Sequence, residues 1–309
     1  MKLAIVFPGQ GSQKVGMMAG FADSGVVRET FKQASDALGE DLWALTETGP
    51  AEALAATVNT QPVMLTAAYA MYRAWAEAGG PAAAVMAGHS LGEYTALTAA
   101  GALRFADAVP LVRFRAQAMQ EAVPMGTGGM AVVMGLEAEA VRAVCKEAAQ
   151  GEVVEAVNFN DQTQIVIAGS KNAVERAMAG AKAAGAKRAL PLPVSAPFHS
   201  SLLKPAADRL REKLAGVEIG EPKIPVIHNF NVLSHSTAAE IREVLAQQAS
   251  NPVRWVETVQ KMAAEGVTHA VEIGPGKVLQ GLIKRVAPGI AAFAVTDAAS
   301  LAETLEALK

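Results

Sequence analysis

Short apolar runs closed by glycine and proline turns alternate along most of this chain with Ala-rich stretches of helical period, the rhythm of an α/β protein. Leu3–Phe7 is an unbroken apolar run suited to a parallel strand buried on both faces, and Pro8-Gly9-Gln10-Gly11-Ser12-Gln13 turns the chain away from it. Thr60 is placed to cap a helix with Pro62 in its first turn, ending near Ala78 before Gly79-Gly80. Ala82–Ala87 then predicts a second strand, Glu93–Ala100 a helix, and Ala108–Glu121 another.

In the middle of the chain the spacing changes. Gly129–Gly135 reads as a strand, Glu137–Ala149 as a helix, Val153–Asn158 and Gln164–Ala168 as strands, Asn172–Ala184 as a helix and Lys187–Val194 as a strand. The order β-α-β-β-α-β is that of a ferredoxin-like unit. Pro124-Met125-Gly126-Thr127-Gly128 bounds it on one side and Ser195-Ala196-Pro197 on the other. The α/β pattern then resumes: Pro205–Leu214 helical, Pro225–Asn229 strand-like, Ala238–Gln248 helical, Ala270–Ile273 a strand ending at Gly274-Pro275-Gly276 before another helix, and Ile290–Val295 a last strand. The expected organisation is a discontinuous α/β domain over 1–124 and 198–309, α/β-hydrolase-like with a mostly parallel sheet, and an inserted ferredoxin-like subdomain over 125–197.

At 309 residues, 51% hydrophobic and 18% charged, the chain can bury a sizeable interior. Its net charge of −3 lacks the basic excess of a nucleic-acid surface. Cys145 is the single cysteine, so no disulfide framework exists, and its apolar helical surroundings suit a small buried hydrophobe in a reducing cytoplasm. Met1–Phe7 is too short for a signal h-region, and the longest charge-free stretch, Ala53–Tyr72, is interrupted by Asn59-Thr60-Gln61-Pro62. No membrane span is expected, and a monomer is the default.

Gly88-His89-Ser90-Leu91-Gly92 lies between a predicted strand and a predicted helix, the setting of a nucleophile elbow. Alone, the pentapeptide is also compatible with an ordinary Gly-rich turn. A serine hydroxyl needs a base within reach, which makes the five histidines a shortlist. His89 adjoins the serine and should point away from its hydroxyl; His228, His235 and His269 have no local feature to recommend them. His199, in Ala196-Pro197-Phe198-His199-Ser200, stands where the insert rejoins the main unit, on the kind of loop that lines clefts, although a surface or capping role fits the spacing equally well.

On the helix Ala108–Glu121, Leu111, Val112, Ala116, Ala118 and Met119 form an apolar arc, and Arg115 falls inside it. A guanidinium directed into low dielectric needs an anion. That anion is either a protein carboxylate or the carboxylate of a substrate, unless the side chain snorkels out. Gly9-Gln10-Gly11 is not followed by the residues of a phosphate loop, and no metal-ligand pattern occurs.

Together these segments resemble the malonyl-CoA:acyl-carrier-protein transacylase family over essentially the whole chain. The likeness is carried by Phe7-Pro8-Gly9-Gln10-Gly11-Ser12-Gln13, Gly88-His89-Ser90-Leu91-Gly92-Glu93, Arg115 with Met119-Gln120, Gly126-Thr127-Gly128-Gly129-Met130, Val157-Asn158-Phe159-Asn160, Phe198-His199, Asn251-Pro252-Val253 and Glu272-Ile273-Gly274-Pro275-Gly276. The resemblance implies that Ser90 is the nucleophile, His199 its base and Arg115 the clamp for a malonyl carboxylate. It further implies an oxyanion hole from the backbone N–H groups of Gln10 and Leu91, and a histidine oriented by backbone carbonyls with Gln248 contributing. Phe198 before His199 resembles the pair in malonyl-selective members.

The implied substrates are malonyl-CoA and phosphopantetheinylated acyl carrier protein, with no bound cofactor, in fatty-acid synthesis or a polyketide pathway. An acidic carrier protein would call for a local basic patch, with Lys182, Lys187 and Arg188, or Lys284 and Arg285, as candidates. A serine esterase or thioesterase, and a non-catalytic acyl-binding subunit, are the competing readings.

Overall fold

The computed structural model describes residues 1–194 and 196–309; Ser195, part of the boundary read from the sequence, lies outside the described residues. Among the described residues nine strands run in chain order: β1 Leu3–Phe7, β2 Val85–Gly88, β3 Gly128–Met134, β4 Val154–Asp161, β5 Gln164–Ser170, β6 Arg188–Pro191, β7 Val226–Ile227, β8 His269–Ile273 and β9 Ala291–Val295. They form a five-stranded sheet in the order β7-β2-β1-β8-β9 and a four-stranded sheet in the order β4-β5-β3-β6. Every pairing in the first is parallel and every pairing in the second antiparallel.

β1 is central to the parallel sheet and buried throughout, which is why it reads as an uninterrupted apolar run. Its alternate residues feed two cores: Leu3, Ile5 and Phe7 pack on one face, Ala4 and Val6 on the other. The second sheet has the strand order of a ferredoxin-like unit, with helices Ala138–Ala149 and Lys171–Ala183 on one face. Ala131, Val133, Ile165 and Ile167 meet those helices, while Met130, Val132 and Val166 face the main body. Cys145 is buried in this small core, which pushes its thiol up to about 12.

Several local expectations are corrected. Thr60 is no helix cap: the helix spans Thr57–Glu77, and the Thr60 hydroxyl donates to the Leu54 and Ala56 carbonyls from inside it. Pro62 is likewise not in the first turn: it is the sixth residue of this helix, inside it, where its missing N–H removes one i→i−4 bond. The predicted strands at 187–194 and 225–229 shrink to β6 and β7. Helices Gly25–Leu38, Leu42–Thr48 and Ala51–Ala55 had no counterpart in the sequence reading.

The glycines of the Gly88–Gly92 turn have a different purpose from the one the motif suggests. Neither has a positive φ; it is Ser90 that does, at 53°. A Cβ on Gly88 would lie 1.9 Å from the Gly92 carbonyl oxygen, and one on Gly92 would lie 2.1 Å from that of Phe7. They allow the helix to approach the end of β1. Gly92→Ala should therefore cost about 1–3 kcal/mol or more, since backbone must move; a loss below about 0.5 kcal/mol in urea unfolding would show that the approach is not tight.

Candidate active site

Ser90 stands between the end of β2 and the helix Gly92–Ala99. Its left-handed conformation is unusual for a serine and marks stored strain. The Ser90 Oγ lies 2.7 Å from His199 Nε2, a pair separated by 109 positions in sequence. His199 is also left-handed, with φ 65°, and its Nδ1 lies 2.8 Å from the Gln248 backbone carbonyl. A carbonyl only accepts, so Nδ1 carries the proton and Nε2 presents its lone pair to the serine hydroxyl. The place that a carboxylate takes in many triads is filled here by a main-chain oxygen.

His199 is almost fully enclosed. Burial, followed by the charge of nearby Arg115, brings its pKa down to about 3, with the Gln248 carbonyl opposing the shift. It is therefore neutral, and able to accept a proton, throughout the range in which an ordinary imidazole titrates.

Arg115, on the helix Phe105–Glu121, is 1% exposed, as its place in the apolar arc predicts. Neither alternative raised by the sequence occurs: the side chain does not reach water, and among the described residues it forms no ion pair. Its Nη1 donates to Gln61 Oε1 at 2.6 Å and its Nη2 to Gln248 Oε1 at 2.8 Å, with Ser90 Oγ 3.3 Å from Nη2. Nε has no partner. Burial lowers the guanidinium pKa from its usual value, and Tyr94 and Glu93 oppose that. A fixed cation held by neutral amides beside a serine is a receptor for an anion.

A cavity of about 530 Å³ opens above these groups. Ser90, His199, Arg115, Gln10 and Leu91 line it from the parallel-sheet side, and Met130, Val132 and Val166 close it from the antiparallel sheet. Among the described residues neither the Gln10 nor the Leu91 backbone N–H has an acceptor in the chain. Gln10 is steadied through its side chain, whose Oε1 accepts from Thr57 Oγ1 at 2.9 Å. Gln248 contributes its carbonyl to His199 and its side chain to Arg115. His89 turns from Ser90 to Asn160, with Nε2 2.8 Å from Oδ1.

Gln61 and Asn160 were missed in the sequence. A glutamine in the apolar helix Thr57–Glu77 was the available signal for the first; the second depends on pairing across 71 positions. His228, which had nothing local to recommend it, is fully buried against Glu93, with Nδ1 2.7 Å from Oε1. Among the described residues no cluster of His, Cys, Asp or Glu is arranged to hold a metal, and no helix is long and apolar enough to cross a membrane.

A fluorophosphonate probe should label Ser90 before any other serine, and His199→Ala should abolish that labelling. Because the folded pKa of His199 is depressed, the base remains unprotonated as pH falls through the ordinary imidazole range. The labelling rate should stay level from about pH 8 to about pH 5. A fall centred near pH 6.5, the value of a free imidazole, would contradict the burial argument.

Residues 4–301 match the acyl transferase domain family. The chain is 55% identical over 306 residues to the malonyl CoA-acyl carrier protein transacylase of Escherichia coli K12, covering 99% of each. It superposes on the acyl-carrier-protein S-malonyltransferase of Burkholderia pseudomallei with a TM-score of 0.98 at 63% identity, covering 99% of this chain and 100% of that one. A malonyl-transacylase solved in complex with its type II PKS acyl-carrier protein superposes with a TM-score of 0.98 at 53% identity, with the same coverage.

Proposed function

The chain belongs to the acyl transferase domain family, and from that premise we propose that it transfers the malonyl group of malonyl-CoA to the phosphopantetheine thiol of acyl carrier protein through an ester on Ser90. One observation carries the choice of acyl group: Arg115 is buried beside Ser90 with amide oxygens and no carboxylate on its fork. An esterase pocket has no use for a buried cation whose fork no carboxylate contacts among the described residues, whereas a malonyl carboxylate completes it.

In the first half-reaction His199 Nε2 takes the Ser90 proton as Oγ bonds to the thioester carbon. The oxyanion that forms is met by the Gln10 and Leu91 backbone N–H groups, which have no other acceptor among the described residues. As the carbon–sulfur bond breaks, His199 returns the proton to the CoA sulfur. In the second half-reaction the carrier thiol gives its proton to His199, attacks the ester, and Ser90 recovers its proton as leaving group. Arg115 holds the carboxylate through both, which keeps the carbonyl within reach of each nucleophile. The bound carboxylate also offsets the Arg115 charge that helps depress His199, so the correct substrate strengthens its own base.

We assign the discontinuous 1–124 and 198–309 segments to the catalytic part and 125–197 to an insert that roofs the cavity. Of the candidate docking cations, Arg285 is tied to Asp161 at 2.6 Å, while Lys182, Lys187, Arg188 and Lys284 are exposed and have no ion-pair partner among the described residues. These four suit an acidic carrier. A cytoplasmic setting, where carrier and CoA ester meet, is consistent with the lone unpaired thiol of Cys145.

With malonyl-CoA and holo acyl carrier protein, CoA release should require the carrier beyond one turnover and yield malonyl carrier. Steady CoA release without carrier, with free malonate as product, would establish a hydrolase instead. Arg115→Ala should lower kcat/KM for malonyl by about a hundredfold or more, as for loss of a buried charge-assisted pair. Acetyl transfer should change by less than about threefold. Equal losses for the two acyl groups would contradict the clamp.

A further inference from the structure

On the reading of Ser90 as the acyl-transfer nucleophile, we propose that Asn229 is a positioning residue, a side-chain staple across the turn that carries Ser90. β7 pairs with β2 in parallel, Met86 opposite Val226 and Ala87 opposite Ile227. One residue later β2 ends at Gly88 and the backbone leaves the sheet. Ladder bonds between main chains stop there. Asn229 takes over: its Nδ2 donates to the Gly88 carbonyl at 2.7 Å and its Oδ1 accepts the Ser90 N–H at 2.7 Å. The side-chain amide presents one donor and one acceptor to the turn, as a peptide group would, and acts where the next peptide group of a longer β7 would. It cannot invert, since a flipped amide would set oxygen against the Gly88 carbonyl and N–H against N–H at Ser90.

The staple is itself anchored. The Asn229 backbone N–H donates to Glu93 Oε2 at 2.8 Å, and Glu93, buried in the first turn of the helix after Ser90, meets His228 through its other oxygen. Gln248 Nε2 donates both to Glu93 Oε2 at 3.0 Å and to the Ser90 carbonyl at 2.9 Å. Residues 228–229 thus grip the turn at Gly88, at Ser90 and at Glu93. Ser90 needs the grip because its φ of 53° is a conformation that serine leaves when unsupported. Relaxation would carry Oγ off its 2.7 Å line to His199 and the adjoining Leu91 N–H away from its place at the cavity.

Asn229 touches Ser90 and not Arg115, so its effect is common to all acyl groups, whereas that of Arg115 is confined to anionic ones. In the full-length enzyme, Asn229→Ala should lower kcat about a hundredfold for malonyl and acetyl alike, the scale of an ångström-sized misplacement, with KM values within about threefold. Fluorophosphonate labelling of Ser90 should slow in parallel. Asn229→Asp sets a carboxylate oxygen against the Gly88 carbonyl, but once protonated it offers one donor and one acceptor again. Its rate relative to the unmodified enzyme should therefore rise about tenfold between about pH 8 and about pH 5.5.

A kcat for Asn229→Ala within about threefold of the unmodified enzyme, a loss confined to KM or to malonyl, or a relative rate for Asn229→Asp that is flat with pH would each overturn the staple. Should Asn229→Ala not fold, the pH response of Asn229→Asp decides. The labelling arm uses no acyl-CoA. Slowed labelling supports the staple even where the malonyl reading fails, while an unmodified enzyme that is not labelled at Ser90 refutes the nucleophile itself.

Discussion

Placing the Arg115 guanidinium out of water with neutral amides on its fork leaves a charge that no carboxylate contacts among the described residues, the buried Glu93 acting on it only from behind Gln248. Gln61 and Gln248 satisfy its hydrogen-bonding geometry without neutralising it, which a carboxylate would have done at the expense of the site. The same charge helps hold His199 in its neutral form, so in the proposed transfer the cation that selects the acyl group also conditions the base. Gln248 joins the two, with its carbonyl on the imidazole and its side chain on the guanidinium. Charge and geometry at this point are set by residues from four separate stretches of chain.

The parts of this arrangement that could be read beforehand are those whose cause is local. Strand, turn and helix around Ser90 follow one another within a few residues, and the placement of Arg115 follows from helical period alone. The ferredoxin-like strand order was legible because each of its elements carries its own pattern. The short helices Leu42–Thr48 and Ala51–Ala55 were not, because helices of one or two turns draw their stability from what they pack against. Thr60 illustrates a related failure, for a threonine before a proline resembles a cap only if the preceding turn is unknown.

The site residues that escaped notice are neutral amides whose partners lie far off in sequence. Gln61 meets Arg115 across 54 positions and Asn229 meets Ser90 across 139. Gln61 at least stands out as a glutamine in an apolar helix, but nothing local marks Asn229, whose role is defined by the fold that brings its partner near. Glycine misled in the opposite sense: the motif suggests conformational freedom, and the structure uses Gly88 and Gly92 for want of a side chain. The strain falls on the serine between them.

The cavity above Ser90 has one floor, which bears all the reacting groups, and one roof, supplied by the antiparallel sheet. The roof is not loose: β4 is joined to the main body where Val253 N–H donates to the Val157 carbonyl and Phe159 N–H to that of Val253. In the proposed two-step transfer the departing and arriving thiols use this one chamber in succession, and the ester on Ser90 is its only memory of which came first. Directionality is then a matter of which thiol is more abundant at the entrance, and the enzyme serves as a turnstile between two pools whose concentrations set the traffic.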